Sequence, residues 1–289
     1  MATIGNIIGN TIGVILKKPF IIVFWGVFML VVTLMGYMFP VFRTLFELSS
    51  ISGSNPFETL MSFIQLVYSY LSDVKVVAIS LGVLLLVLLS VAVIGGALMS
   101  GYLSILNNAV NKKVIHKGEF SYGIKQYFNK ITLMNFTLLV VGLVIFIIMV
   151  VAIVPALVIT SASAGKGKEM LPAVLFVDIL TGIVLFFGLM FYRIYAFFWY
   201  PAVLNNSKKP FKEAKDIANK HFWKIVSVFI LFDLVYIAFQ MLFVKFDDNM
   251  VMLLVKWIFT SVFFAMFTTY IFTAFKKYFK QENKQEKMD

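Results

Sequence analysis

Six stretches of this chain are long and apolar enough to cross a bilayer, and no other feature restricts the fold as strongly. A helix rises about 1.5 Å per residue, so about 20 mostly apolar residues are needed to cross a hydrocarbon core about 30 Å thick. The runs extend approximately from Pro19 to Phe39, Val76 to Leu106, Ile131 to Thr160, Ala173 to Tyr200, Ile225 to Val244 and Val251 to Phe275. The second, third and fourth exceed the minimum by two turns or more, so they are expected to tilt or to continue beyond the membrane. Composition agrees: 61% of residues are apolar and 13% charged, against roughly 45–50% and about 25% in soluble domains. The expected fold class is an all-α membrane protein with six transmembrane helices. One membrane domain is expected over residues 1–280, followed by a disordered polar tail, 281–289.

Lysine placement gives the orientation, because positive residues accumulate in cytoplasmic loops. The segment before the first run, the loops after the second and fourth, and the tail together hold 18 of the 25 basic residues. The other side holds Arg43, Lys75, Lys166, Lys168, Lys245 and Lys256. Both termini are therefore expected in the cytoplasm. The net charge of +11 is read as topology determinants lying against an anionic cytoplasmic leaflet, not as nucleic-acid binding.

The lysine-rich segments carry a weak repeat. LKKPFIIVF (Leu16 to Phe24), YFNKITLMNF (Tyr127 to Phe136) and HFWKIVSVF (His221 to Phe229) each join lysine and an aromatic to a new apolar run. ILNN (Ile105 to Asn108) and VLNN (Val203 to Asn206) close the preceding runs. This predicts three consecutive helical hairpins, each introduced by a short amphipathic cytoplasmic piece. In PFKEAKDIANKHF, Phe211, Ala214, Ile217, Ala218, His221 and Phe222 recur at helical spacing, and Pro210 suits a first turn. EFSYGIKQYF repeats the pattern through Phe120, Ile124, Tyr127 and Phe128. On the exterior side, an amphipathic helix is expected from about Pro56 to Ser72.

Chemistry has few candidates. The chain has no cysteine, which removes disulfides, thiolate metal sites and cysteine nucleophiles. His116 and His221 lie in separate loops outside any metal-binding spacing. SASAGKGKE lacks the spacing of a phosphate loop and reads as an exterior turn. No catalytic residue, metal or cofactor is expected. The first apolar run ends in GYMFP without a small-residue cleavage pattern, so it is expected to be a retained span.

Small residues and intramembrane charges carry more signal. Gly5, Gly9 and Gly13 recur every fourth residue, and Ala92 with Gly96 and Ala97 with Gly101 repeat that spacing. They are candidates for close helix packing, within the chain or with a second copy. Asp178 and Lys256 lie about five residues inside the exterior ends of their runs, a depth at which they can pair or reach water. Gln240 is a milder polar residue in the fifth run. Arg193 and Asp233 are expected at similar depth on consecutive antiparallel helices. Arg193 has two choices: to pair with Asp233, or to extend towards the headgroups between Tyr195 and Tyr200. Such a pair either locks two helices or lies on a path between them.

The stretch YRIYAFFWYPAVLNNSKKPFKEAKDIANKHFWK resembles bacterial six-helix families. These include the membrane domain of glycerophosphoryl diester phosphodiesterases and related Firmicutes integral membrane proteins. Arg193, Tyr195, Pro201, Ala214 and Trp223 match their pattern of a basic residue and tyrosine closing an even-numbered span, a proline, and a helix leading to an aromatic-basic entry. The resemblance implies this architecture and a plasma-membrane location. It does not imply catalysis, because the active members carry a separate soluble catalytic domain that this chain is not expected to have after Phe279. Lysine outnumbers arginine 23 to 2, in keeping with an AT-rich bacterial genome. The expected role is a non-enzymatic scaffold, accessory subunit or lipid-facing component, with a membrane-protein partner or a second copy. The alternative is a transporter or channel using Arg193 and Asp233 in a polar track.

Overall fold

The computed structural model describes residues 4–38, 74–113, 117–163, 171–205, 209–244 and 250–285. Eight helices occur among them: α1 (Ile4–Lys17), α2 (Phe20–Met38), α3 (Val74–Val110), α4 (Glu119–Ser163), α5 (Leu171–Leu204), α6 (Pro210–Lys220), α7 (Phe222–Val244) and α8 (Met250–Gln285). The exterior helix expected near Pro56 to Ser72, Arg43, His116 and the glycines of SASAGKGKE lie outside the described residues. Helices α3, α4, α5, α7 and α8 are long and apolar enough to cross a membrane. Counting α1 and α2 as one broken span, bent by 81°, makes six. Their outward surfaces carry large apolar side chains such as Leu86, Ile94, Phe146, Phe176, Leu234 and Met241. An apolar surface of that extent is suited to lipid contact.

Three local outcomes differ from expectation. EFSYGIKQYF is not a separate amphipathic helix; it forms the first turns of α4, one continuous helix of 45 residues. Only Asn129 and Lys130 separate Phe128 from Ile131, so nothing there interrupts the backbone ladder. PFKEAKDIANK does form its own helix, α6, with Pro210 in the first turn and Ala214, Ile217 and Ala218 buried. The chain breaks at His221, whose N–H still bonds the carbonyl of Ile217 at 3.2 Å. Pro201 is not the exit of α5, which continues for three more residues to Leu204. The tail expected to be disordered from Gln281 is helical as far as Gln285, where Gln, Glu and Lys are all good helix formers.

The chain divides into two compact units. The first comprises residues up to Met38, Gly96–Ile131 and Arg193 onward; the second comprises Phe39–Gly95 and Thr132–Tyr192. In the first unit α2 and α1 both pack on α8, around a core that includes Tyr102, Leu106, Phe198, Phe229, Tyr270 and Phe275. In the second unit the Tyr192 hydroxyl donates to the carbonyl of Leu138 at 2.8 Å. Gly142 leaves room for that approach, since a methyl there would come within 2.7 Å of the Tyr192 oxygen.

Small residues serve packing at positions that differ from the expected ones. Helix α1 buries Ile7, Thr11 and Ile15. Gly5, Gly9 and Gly13 lie on another face, where an added methyl would meet nothing within 4 Å. Among the described residues the glycine stripe therefore does not mediate the packing of α1. Ala92 and Gly96 are buried and Ala97 half-buried. Gly101 does lie at a close crossing, with the Phe120 ring 2.7 Å from where its methyl would be. Gly123 is tighter still, at 2.5 Å from the Ser104 Cβ and 2.9 Å from the Ser100 carbonyl oxygen. Helices α3 and α4 thus meet almost backbone to backbone in the first unit.

Helix α3 ends in a Schellman turn. Lys113 N–H bonds the Asn108 carbonyl at 2.9 Å and Lys112 N–H bonds that of Ala109 at 3.2 Å. Lys112 has φ 58 at the position where glycine is usual, which costs about 1 kcal/mol for a residue with a side chain.

Gly123→Ala should lower stability by about 1–3 kcal/mol through overpacking, measured as a fall in melting temperature in detergent. Gly9→Ala should melt no lower than the parent. Equal melting of all three proteins would mean that the α3–α4 crossing is not tight.

Candidate functional site

Arg193 lies 11 residues before the end of α5 (204 − 193), and Asp233 lies 11 residues after the start of α7 (233 − 222). At about 1.5 Å per residue both are about 16 Å from those helix ends. They meet as a bidentate pair: Nη1 donates to Asp233 Oδ2 at 2.6 Å and Nη2 to Oδ1 at 2.9 Å. The guanidinium lies over the Phe229 ring at 5.4 Å and the Phe267 ring at 5.9 Å. Helices α5, α7 and α8 are therefore tied at one point by two charge-assisted hydrogen bonds and two cation–π contacts. Arg193 takes the partner on α7 instead of extending towards the headgroups.

The surroundings of the pair are aromatic. Phe197 and Phe232 pack edge-on to Phe267, and Phe232 also meets Phe263 and Tyr270. Farther along α5, the Tyr195 hydroxyl donates to Asn219 Oδ1 of α6 at 2.7 Å. The Trp199 ring packs edge-on to Phe211. His221 stacks on Tyr278 of α8 at 4.0 Å.

The other expected polar residues are dispersed. Asp178, in the second unit, accepts from the Thr160 hydroxyl at 3.3 Å. Lys256 on α8 and Gln240 on α7 are half-buried in the first unit.

Two polar clusters of the first unit did not stand out in the sequence. Trp25 Nε1 of α2 donates to the Tyr102 hydroxyl of α3 at 3.0 Å and reaches Thr268 Oγ1 of α8 at 3.3 Å. The two hydroxyls are themselves 2.9 Å apart. Trp257 Nε1 adds a bond to the Gly26 carbonyl at 2.9 Å, so α2 and α8 are joined twice. The only hint was an aromatic N–H or O–H inside an apolar run, which needs a partner wherever it is buried.

The second cluster surrounds Glu119, a buried carboxylate in the first turn of α4. Its Oε1 accepts from Ser104 Oγ at 2.9 Å and from Asn108 Nδ2 at 2.6 Å. It borders a cavity of about 610 Å³ that Lys113, Lys117, Gln126 and Tyr127 also line. The positive end of the helix dipole favours a carboxylate in a first turn. The ILNN motif supplies Asn108, but its partner lies 11 residues away across a turn, so the repeat alone did not reveal the contact.

The described chain is all-helical, with five to six helices long and apolar enough to span a membrane. No family model, curated protein or solved structure matches it.

Glu119→Ala should cost about 3 kcal/mol or more, because it removes two hydrogen bonds to a charged group that contribute about 1.5–3 kcal/mol each. Glu119→Gln, which keeps an acceptor, should cost less. Thermal unfolding of the purified variants measures both, and equal melting of parent and Glu119→Ala would remove the structural role assigned to the carboxylate.

Proposed function

We propose that this chain is a non-enzymatic integral protein of a bacterial plasma membrane, acting as a scaffold, accessory subunit or lipid-facing component of a membrane assembly. Six spans run as three consecutive hairpins, with α2 supplying the first and α1 lying before it on the lysine-rich side, and both termini lie in the cytoplasm. The lysine asymmetry supports that orientation. The resemblance to six-helix families related to the membrane domain of glycerophosphoryl diester phosphodiesterases supports the same architecture.

The observation that carries this reading is the bidentate geometry of the Arg193–Asp233 pair. Both carboxylate oxygens are engaged by the guanidinium, which lies against two phenyl rings, and the two side chains stay partly exposed, at 27% and 32%. Neither residue lines the cavity at Glu119 or the groove between α1, α3 and α8. A proton or ion carried by Asp233 would first have to break two short charge-assisted bonds. The pair is better suited to locking helices than to conducting along them.

Two experiments test this reading. In proteoliposomes with a broad panel of solutes and ions, flux should equal that of protein-free vesicles; specific flux abolished by Asp233→Asn would replace the reading with a transporter. Asp233→Asn leaves Arg193 unpaired, at a cost of about 2.5–3.5 kcal/mol inside a bilayer, and should lower the yield of folded protein. The apolar double variant Arg193→Leu with Asp233→Leu should recover much of that yield. If the single variants accumulate and melt like the parent, the lock is not needed.

Orientation has its own test, simplified by the absence of native cysteine. A single Val251→Cys should react with an impermeant maleimide on intact cells, whereas Lys212→Cys and Lys280→Cys should react only after permeabilisation. The reverse pattern would invert the topology.

A further inference from the structure

A groove of about 640 Å³ lies in the first unit between α1, the end of α3 and the last turns of α8. Lys17 and Lys18 border it at the end of α1, and Lys112 and Lys113 at the end of α3. Lys276, Lys277 and Lys280 line it from α8. No Asp or Glu lies among the described residues that form its walls. Lysines at the ends of α1 and α3 complement the helix dipole, but Lys276, Lys277 and Lys280 precede the end of α8 at Gln285 by five residues or more, so the dipole does not account for their convergence on the groove. Converging ammonium groups repel one another, and a bound anion relieves that repulsion.

We propose that this groove binds the phosphate of an anionic lipid headgroup. Three features of its walls point that way independently of the lysine count. Lys112 occupies the left-handed position of the α3 Schellman turn, with φ 58, where glycine would be unstrained; the fold retains a lysine there at a cost. Gly9 and Gly13 line the groove, and a methyl on either would meet nothing within 4 Å. Their missing side chains leave that wall of the groove open, which gives two of the three glycines of the stripe a place that packing does not explain. Thr273 also lines the groove; it is 6% exposed, and its buried hydroxyl has no hydrogen-bond partner among the described residues. That hydroxyl is a donor of the kind a phosphate oxygen uses.

Lys276 is held in place, because its Nζ donates to the Val110 carbonyl at 2.6 Å. An ammonium has three N–H groups, so one can fix the side chain while the others face an anion.

A lipid is favoured over a free phosphate ester by what adjoins the groove. Lys17 and Lys18 lead directly into Pro19 and the apolar helix α2. On α1 itself Ile12 and Leu16 are exposed. A phosphate in the groove would thus have apolar surface beside it for acyl chains, the arrangement of an interfacial amphipathic helix.

This inference rests on the reading of a lipid-facing membrane protein and names the chemistry that face would recognise. The test uses the full chain in neutral detergent, titrated with phosphatidic acid, with phosphatidylcholine as control. Retained lipid is read by native mass spectrometry and stability by melting temperature. Phosphatidic acid should bind saturably at about one per chain and raise the melting temperature; phosphatidylcholine should do neither.

Lys113→Gln with Lys277→Gln should weaken binding about thirtyfold, the loss expected from two lysines acting on an anionic headgroup. Lys212→Gln with Lys215→Gln removes the same charge from α6 and should weaken it less than about threefold. Gly13→Leu keeps every charge, fills the groove, and should abolish binding while melting like the lipid-free parent. Lys112→Gly should raise the lipid-free melting temperature yet lower affinity, a split that a purely structural lysine would not produce. Equal losses in the two double variants, or parental binding by Gly13→Leu, would overturn the site. Competition by soluble glycerol phosphate at the same concentration would overturn the lipid assignment and leave a site for free phosphate esters. The flux assay turns on Asp233, which does not line the groove, so the two readings fail separately.

Discussion

A charge inside an apolar helix must find an opposite charge, water or the membrane boundary, because an unpaired charge in hydrocarbon costs several kcal/mol. Arg193 meets that requirement through Asp233, and the way it does so organises much of the first unit. The pair holds α5 against α7. The phenyl rings over the guanidinium bring in α8, and Phe197, Phe229, Phe232 and Phe263 extend the contact in both directions along it. The guanidinium therefore marks one point at which particular faces of three otherwise similar apolar helices meet. Apolar packing alone discriminates poorly between such faces, since lipid tails are as apolar as the helices themselves.

Neutral polar groups follow the same rule. Trp25, Tyr102 and Thr268 meet across α2, α3 and α8, with Thr268 also donating to the Phe264 carbonyl of its own helix at 2.8 Å. Thr11, Thr33, Ser90, Thr137, Ser227 and Ser261 instead return to carbonyls of their own helices. The distinction separates groups that specify a neighbour from groups that merely avoid being unsatisfied. Close approach adds a third device: Gly101 and Gly123 let α3 and α4 cross with side chains of one helix resting on the backbone of the other.

The lysine-rich side of the first unit combines two demands. Positive charge near helix ends orients the chain in the proposed topology, and charge concentrated around a concavity is suited to an anion. The groove is open because α1 turns away from α2 by 81° and presents glycine to the cavity while Ile7, Thr11 and Ile15 hold it on the protein. If the bend were absent, α1 would continue the line of α2 and the glycines would lie elsewhere.

The sequence by itself determined the long apolar helices and nearly where they lie. The expected run Ile225 to Val244 is α7, Phe222–Val244, and the run Ala173 to Tyr200 is α5, Leu171–Leu204. Apolar length is a local property, so it can be counted along the chain. The matching depth of Arg193 and Asp233 was legible for the same reason, as consecutive antiparallel helices place equal distances from a shared turn side by side. Tertiary structure alone decided which face of each helix is buried, that α4 continues through the expected break, and that the Gly5, Gly9 and Gly13 stripe lies away from the packed side of α1. It also decided that Lys17, Lys112 and Lys276 border one groove. Those outcomes depend on residues up to 259 positions apart (276 − 17), whose proximity follows from how helices pack and not from any local pattern.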